Sequence, residues 1–366
     1  MRANCSKVWL AFLASALTFG LSAMNARGQA PEGLQGGQKQ PGAPPVEPKP
    51  APPQQKPEDA GASISVEVPV VTLDVIAATN HGDLLTGLKK ENFRITDDGT
   101  AQTISNFGSS EAPITIVMLM EFSSRGYYDW FAYQAKYWAD AFFPQLKKND
   151  WVALVTFDMK SRVEVDFTQN KDEVRNALYH LYFPGFSESN VFDAILDTTD
   201  RLKDVKGKKA ILVLATGVDT FSKHTLDQTM KLLRQTDTTI FCVGLDKPYI
   251  NYIESHGSLG SHMNYLQGEN QLKTFAQMTG GYSWFPQFDG EIPSIFQTIT
   301  AFLRNQYSLS YTPTTGANDG KFHKVKVELV KPDGTPLEVT DQKGKKQKVV
   351  VYAREGYTAV KGGVGD

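Results

Sequence analysis

Cysteine is nearly missing: the 366 residues hold two, Cys5 and Cys242. Cys5 falls in a segment expected to be removed, so no intramolecular disulfide can staple the mature chain. Cys242, inside the apolar run 239–245, is expected to be a buried small hydrophobe. An excess of charge is missing too. With 38 basic and 40 acidic residues the net charge is −2, which excludes nucleic acid as a default partner. Membrane-length apolar runs are missing. Residues 8–21 are apolar but broken by Ser15, Thr18 and Gly20, and too short to span a bilayer comfortably. With Arg2 and Lys7 before them and Ala23 or Ala26 after, they read as a secretory signal peptide over residues 1–26. A secreted or periplasmic protein follows, with no stable membrane span after cleavage. No cysteine sits in lipobox position, which argues against a lipoprotein. There is no P-loop and no Gly-x-Gly-x-x-Gly. Residues 185–189 are not a Gly-x-Ser-x-Gly elbow, and no His/Asp pairing accompanies them. No catalytic constellation is visible, and the chain is expected not to be an enzyme.

What is present falls into blocks. Residues 27–62 hold nine of the 19 prolines and almost no large apolar side chain, so they cannot bury enough surface to offset ordering entropy and should form a disordered linker. Residues 63–111 alternate with a period of two, and Asp97-Asp98-Gly99 between Phe93–Ile95 and Ile104–Phe107 signals a hairpin. Residues 112–305 alternate strand and helix, which predicts a doubly wound, mostly parallel sheet. Residues 306–360 return to period two, with turns at Pro332–Thr335 and a solvated Lys-rich tip at Lys343–Lys348. Neither β block is large enough to stand comfortably alone, whereas fused they reach the size of a β-sandwich. The expected fold class is therefore α/β, with the parallel-sheet unit inserted in a β-sandwich-like domain.

The centre of the α/β block is residues 114–126, ITIVMLMEFSSRG. An uncharged run of that length suits a strand buried on both faces. Its polar cluster then lies at the strand's C-terminal end, the edge where open α/β sheets bind ligands. The strand KAILVLAT, residues 209–216, should lie beside it and end at Gly217-Val218-Asp219. Residues 246–268, rich in Gly, Ser, Tyr and His, break the rhythm and read as a long mobile loop over that edge.

The cluster Glu121-Phe122-Ser123-Ser124-Arg125 resembles the first motif of the von Willebrand factor type A domain, Asp-x-Ser-x-Ser. The order Leu88…Asn92-Phe93…Asp98-Gly99…Gln102 resembles the segment that precedes such domains in secreted bacterial VWFA-related proteins of acidobacterial type. The resemblance implies a Rossmann-like fold, a protein–protein interaction role of adhesion type, and a metal-ion-dependent adhesion site. Carried over position by position, that Mg²⁺ site would fall on Glu121, Ser123, Arg125, Ser189 and Thr216. The site reads as degenerate. Thr216 replaces a carboxylate, Arg125 replaces a serine, and the formal charge of the five positions rises from −2 to 0. A hard divalent cation usually asks for one or two carboxylates. An Arg at about 4 Å would repel it by roughly twice the ~4 kcal/mol of a unit pair at an effective dielectric near 20. No cofactor is expected; were Mg²⁺ to bind, its ligands would be Glu121, Ser123, Ser189 and Asp219.

The expected partner is another protein, docking an acidic group at this edge. Its contacts would be Glu121, Ser123, Ser124, Arg125, Tyr127, Tyr128, Ser189, Thr216 and Asp219, since Arg and Tyr dominate binding hot spots. The alternative is an enzyme, or an enzyme's accessory subunit, using top-face Ser or His residues.

Overall fold

The computed structural model describes residues 69–109, 112–123, 137–138, 140–181, 186–256, 259–314, 318–341 and 343–361. The signal-peptide and linker expectations, and those on Ser124, Arg125, Tyr127 and Tyr128, lie outside the described residues.

The chain opens with β1 (Val71–Thr79), β2 (Phe93–Asp97), β3 (Thr100–Gln102) and β4 (Ile104–Ser109). Strands β2 and β3 form a hairpin at the expected turn, with Asp98 and Gly99 both at positive φ, as a two-residue turn matched to strand twist requires. Its second arm is Thr100–Gln102, however, whereas residues 104–107, expected to supply it, lie in β4 and pair with residues 307–311 in another sheet. Then come β5 (Ile114–Glu121), β6 (Trp151–Phe157), β7 (Ser161–Thr168), helices α1 (Lys171–Tyr179) and α2 (Val191–Arg201), and β8 (Lys208–Leu214). Helix α3 (Leu226–Leu233), β9 (Thr239–Val243), α4 (Lys247–His256), α5 (Leu259–Met278), β10 (Ser283–Trp284) and α6 (Ile292–Arg304) complete the α/β unit. Its sheet has the order β10-β9-β8-β5-β6-β7, parallel except for the edge strand β7.

Every residue of β5 is buried, because both faces of the sheet are covered. Ile116, Met118 and Met120 face Trp138, Phe142 and the apolar stripe of α6, whereas Val117 and Leu119 face α2 and the C-terminal part of α5. Two adjacent lysines at the start of β8 show the same division. Lys208 donates to Leu303 O (3.0 Å) at the end of α6, and Lys209 donates to Leu202 O (2.9 Å) just after α2. Each cation thus satisfies carbonyls that a helix end leaves without partners.

The last strands are β11 (Tyr307–Tyr311), β12 (Phe322–Leu329), β13 (Val339–Thr340), β14 (Lys346–Gln347), β15 (Val349–Tyr352) and β16 (Gly356–Thr358). Four of them interleave with the first four in two sheets, β15-β1-β11-β4 and β16-β12-β2-β3, while β13 and β14 pair with each other. Leu73, Val75, Ile95, Leu309, Tyr311 and Val327 fill the space between them. The α/β unit is therefore an insertion in a β-sandwich.

The two parts share apolar surface along β1. Its first half alternates buried and less buried residues, but from Val75 to Thr79 every residue is buried. Ile76 and Ala78 join the core of the α/β unit, together with Tyr352 of β15, which packs on Tyr282 and Phe302. A strand covered on both faces loses its period of two, and the expected alternation of residues 63–111 accordingly stops at Val75.

The expected mobile loop over residues 246–268 is overturned: Lys247–His256 and Leu259–Met278 are helices α4 and α5. Glycines at 260 and 268 lower the helix propensity of α5. What secures α5 is tertiary packing, with Leu272, Phe275 and Ala276 fully buried against the sheet.

Candidate functional site

Strands β5 and β8 pair in parallel, Met120 beside Leu214, so Glu121 and Thr216 emerge side by side at the C-terminal edge. Glu121 is 2% exposed. Its Oε1 accepts from Ser123 Oγ (3.0 Å), and its Oε2 accepts from both the backbone N–H (2.7 Å) and the hydroxyl (2.8 Å) of Thr216. The Ser189 hydroxyl faces the same carboxylate and favours its charged form, although it makes no hydrogen bond of ordinary geometry. Four sequence-predicted residues thus converge as expected.

Burial still dominates and raises the pKa of Glu121 above its ordinary 4.5. A carboxyl group that binds its proton more tightly when folded costs stability as pH rises. The loss begins near the unfolded pKa and is complete above the folded one. We therefore expect Glu121→Gln, a stand-in for the neutral acid, to be as stable as wild type near pH 4 and to gain on it as pH rises. Urea midpoints from pH 4 to 8 check this; a wild-type chain gaining on the variant across that range would overturn it.

Asp219 is placed differently. Its Oδ1 accepts from Ser222 Oγ (2.5 Å) and the Phe192 N–H (3.4 Å), so it braces its own loop against the start of α2 rather than facing the Glu121 carboxylate. That loop is also tied to Ser189: the N–H groups of Thr220 and Phe221 donate to Ser189 O, and the Ser189 N–H donates to Thr220 Oγ1 (2.9 Å). Beneath it, Gly217 at φ +77° lies so close to Gly268 that a Cβ would stand 2.3 Å from the Gly268 carbonyl oxygen.

This donor set serves Mg²⁺ poorly. The Glu121 oxygens are engaged by Ser123 and Thr216, the Thr216 hydroxyl points its proton at Glu121, and Asp219 is engaged elsewhere. The arrangement is a hydrogen-bonded carboxylate, self-contained.

Sequence reading missed three features of the edge. Asp158, directly after β6, is fully buried. It accepts from Arg162 Nη1 (2.9 Å), while its other oxygen, like Asn190 Oδ1, has no donor among the described residues. A carboxylate closing an apolar strand was the available signal. Phe186 and Phe221, 45% and 49% exposed, flank the Ser189 segment. Third, a His/Asp pair does exist, with His224 Nδ1 2.7 Å from Asp193 Oδ1. The nearby Ser222 hydroxyl donates to Asp219, and no serine reaches the other nitrogen of His224 among the described residues.

A separate polar cleft of about 460 Å³ lies at the opposite end of the strands, lined by Asp74, Lys208, Asp237 and Arg354. Burial raises the pKa of Asp74 and lowers that of Arg354, while Lys208 and Arg354 both favour the Asp74 anion.

Residues 115–277 match the family model of the von Willebrand factor type A domain. The match runs from β5 into the last turn of α5, and the α/β unit has the fold of a type A domain. Solved structures with a similar course include the conserved hypothetical protein BatB from Bacteroides thetaiotaomicron (15% identity, TM-score 0.38, covering 52% of this chain and 98% of that one). The vWF domain of the type V pili tip protein Mfa5 from Porphyromonas gingivalis is another (10%, 0.38, 52% and 95%). A third is proximal thread matrix protein 1 from the mussel byssus, with a zinc-occupied MIDAS motif (14%, 0.38, 54% and 49%). No curated protein matches the chain. Among the described residues, no helix is long and apolar enough to cross a membrane.

Proposed function

We propose that this chain is a secreted or periplasmic protein-interaction module of VWFA-related, acidobacterial type, binding its partner at the type A edge without a divalent cation and without catalysis. The observation that carries this reading is the closed Glu121 cluster, rimmed by exposed Phe186 and Phe221. In place of an ion that a partner carboxylate could complete, the sequence offers Arg125, a fixed charge suited to bidentate pairing with that carboxylate. Aromatic and Arg side chains together are the usual composition of a binding hot spot. Met263 and Leu266 of α5 are also exposed and line a groove with Leu226.

Site-specific photocrosslinking in the source cell's envelope tests the proposal. A photoreactive phenylalanine at position 221 should give one discrete protein adduct, unaffected by EDTA, and the same probe at Lys147 on the opposite edge should give none. Adducts from 147 alone, or adducts at 221 abolished by EDTA, would overturn the cation-free edge.

A further inference from the structure

Outside the type A edge, the sandwich gathers a second set of ionisable groups. Asp97 ends β2, Asp98 begins the hairpin turn, and His323 stands on β12, which pairs with β2. One ligand atom from each lies within 4.8 Å of the other two. His323 Nδ1 is 3.0 Å from Asp98 Oδ2 and 3.9 Å from Asp97 Oδ1. Zinc bonds of about 2.0–2.1 Å in a tetrahedron place ligand atoms roughly 3.3–3.4 Å apart, which those two separations bracket.

The surroundings orient each candidate ligand. His323 Nε2 lies 3.0 Å from Asp319 Oδ1, the carboxylate–histidine contact that fixes the tautomer of metal-binding imidazoles. With Nε2–H donating to Asp319, a neutral ring turns the Nδ1 lone pair toward Asp97 and Asp98. Asp98 Oδ1 accepts from the Lys324 N–H (2.8 Å), which leaves Oδ2 to face the cluster. Asp97 Oδ2 accepts from the hydroxyls of Tyr311 (2.9 Å) and Tyr357 (3.0 Å). Its Oδ1 has no hydrogen-bond donor, although Asp97 is only 4% exposed. A buried carboxylate oxygen without a donor is costly, and here it faces the His323 Nδ1 atom, 3.9 Å away, and a second carboxylate. A cation answers all three. Asp98 is exposed, so an ion can reach the cluster.

We propose that Asp97, Asp98 and His323 bind one zinc-class divalent cation, completed by water and oriented by Asp319, Tyr311 and Tyr357. Imidazole with carboxylates selects zinc-like ions over Mg²⁺, which prefers oxygen ligands in an octahedron. The ion would tie the β2–β3 hairpin to β12 and the Asp319 segment, making it a structural staple.

The test uses the full chain, stripped with EDTA and desalted. Zn²⁺ titrated calorimetrically should bind with a stoichiometry of one and raise the melting temperature, whereas millimolar Mg²⁺ should not. His323→Gln and Asp98→Asn should each weaken Zn²⁺ at least tenfold, and Asp319→Asn about 10–100-fold, as loss of an orienting partner does. Co²⁺ should give a visible absorption band that His323→Gln abolishes. Glu121→Gln should leave all of this unchanged, which separates the cluster from the type A edge. Wild-type protein that ignores Zn²⁺, or zinc binding untouched by His323→Gln and Asp98→Asn, would overturn the site.

Discussion

Deleting residues 307–366 is expected to leave no soluble folded protein. Strand β11 lies between β1 and β4, and β12 lies between β16 and β2, so the deletion removes an interior strand from both sheets. Leu73, Val75 and Ile95, fully buried in the intact chain, would be left facing water beside unpaired strand edges, a template for aggregation. A milder probe of the same core is Leu309→Ala. Leu309 is fully buried, and such truncations cost about 2–5 kcal/mol. Soluble yield and size-exclusion profile check the deletion, and denaturant midpoints check the point variant. A soluble monomeric deletion with the strand signal of residues 71–109 intact would mean that the sandwich is not shared.

Gly217→Ala is expected to destabilise the chain by about 2–5 kcal/mol. A left-handed φ costs an L-residue roughly 1–2 kcal/mol, and forcing an atom into packed surroundings adds about 1–3. The obstacle here is backbone, the Gly268 carbonyl, with Leu272 Cγ behind it at 2.8 Å. Gly344 supplies the control, since it also has φ +77° but nothing within 4 Å of a Cβ. Its alanine variant should show the φ cost alone. Urea midpoints of the two variants give the difference, and equal losses would show that the approach of α5 to the edge is soft. Because Gly217 leads into the loop of Asp219 and Phe221, the surviving folded Gly217→Ala protein should also lose the crosslink from position 221.

Much of the fold was legible because it rests on local patterns. The apolar run of β5 implied a strand covered on both faces, and the structure buries all of it. Asp98-Gly99 implied a tight hairpin, since both residues tolerate positive φ. The alternation of Val325, Val327 and Leu329 implied a half-buried strand, and β12 buries all three, with Lys326 exposed and Glu328 half-buried between them. The convergence of Glu121, Ser123, Ser189 and Thr216 was also legible, because parallel strands send their following loops to one edge.

What the sequence left open depended on long-range packing. Residues 246–268 looked irregular because glycine and polar residues mask the helical period; burial against the sheet secures α5. Asp219 matched the site by position, yet its loop geometry turned it to Ser222. The second half of β1 departs from the alternation expected of residues 63–111, because one face meets the sandwich and the other meets the inserted domain. The sequence by itself therefore determined the central parallel strands, the insertion, and the replacement of a carboxylate by Thr216 at the type A edge. Only tertiary structure decided that His323 meets Asp98, 225 residues away, since pairing across a sheet depends on register and leaves no mark in local spacing.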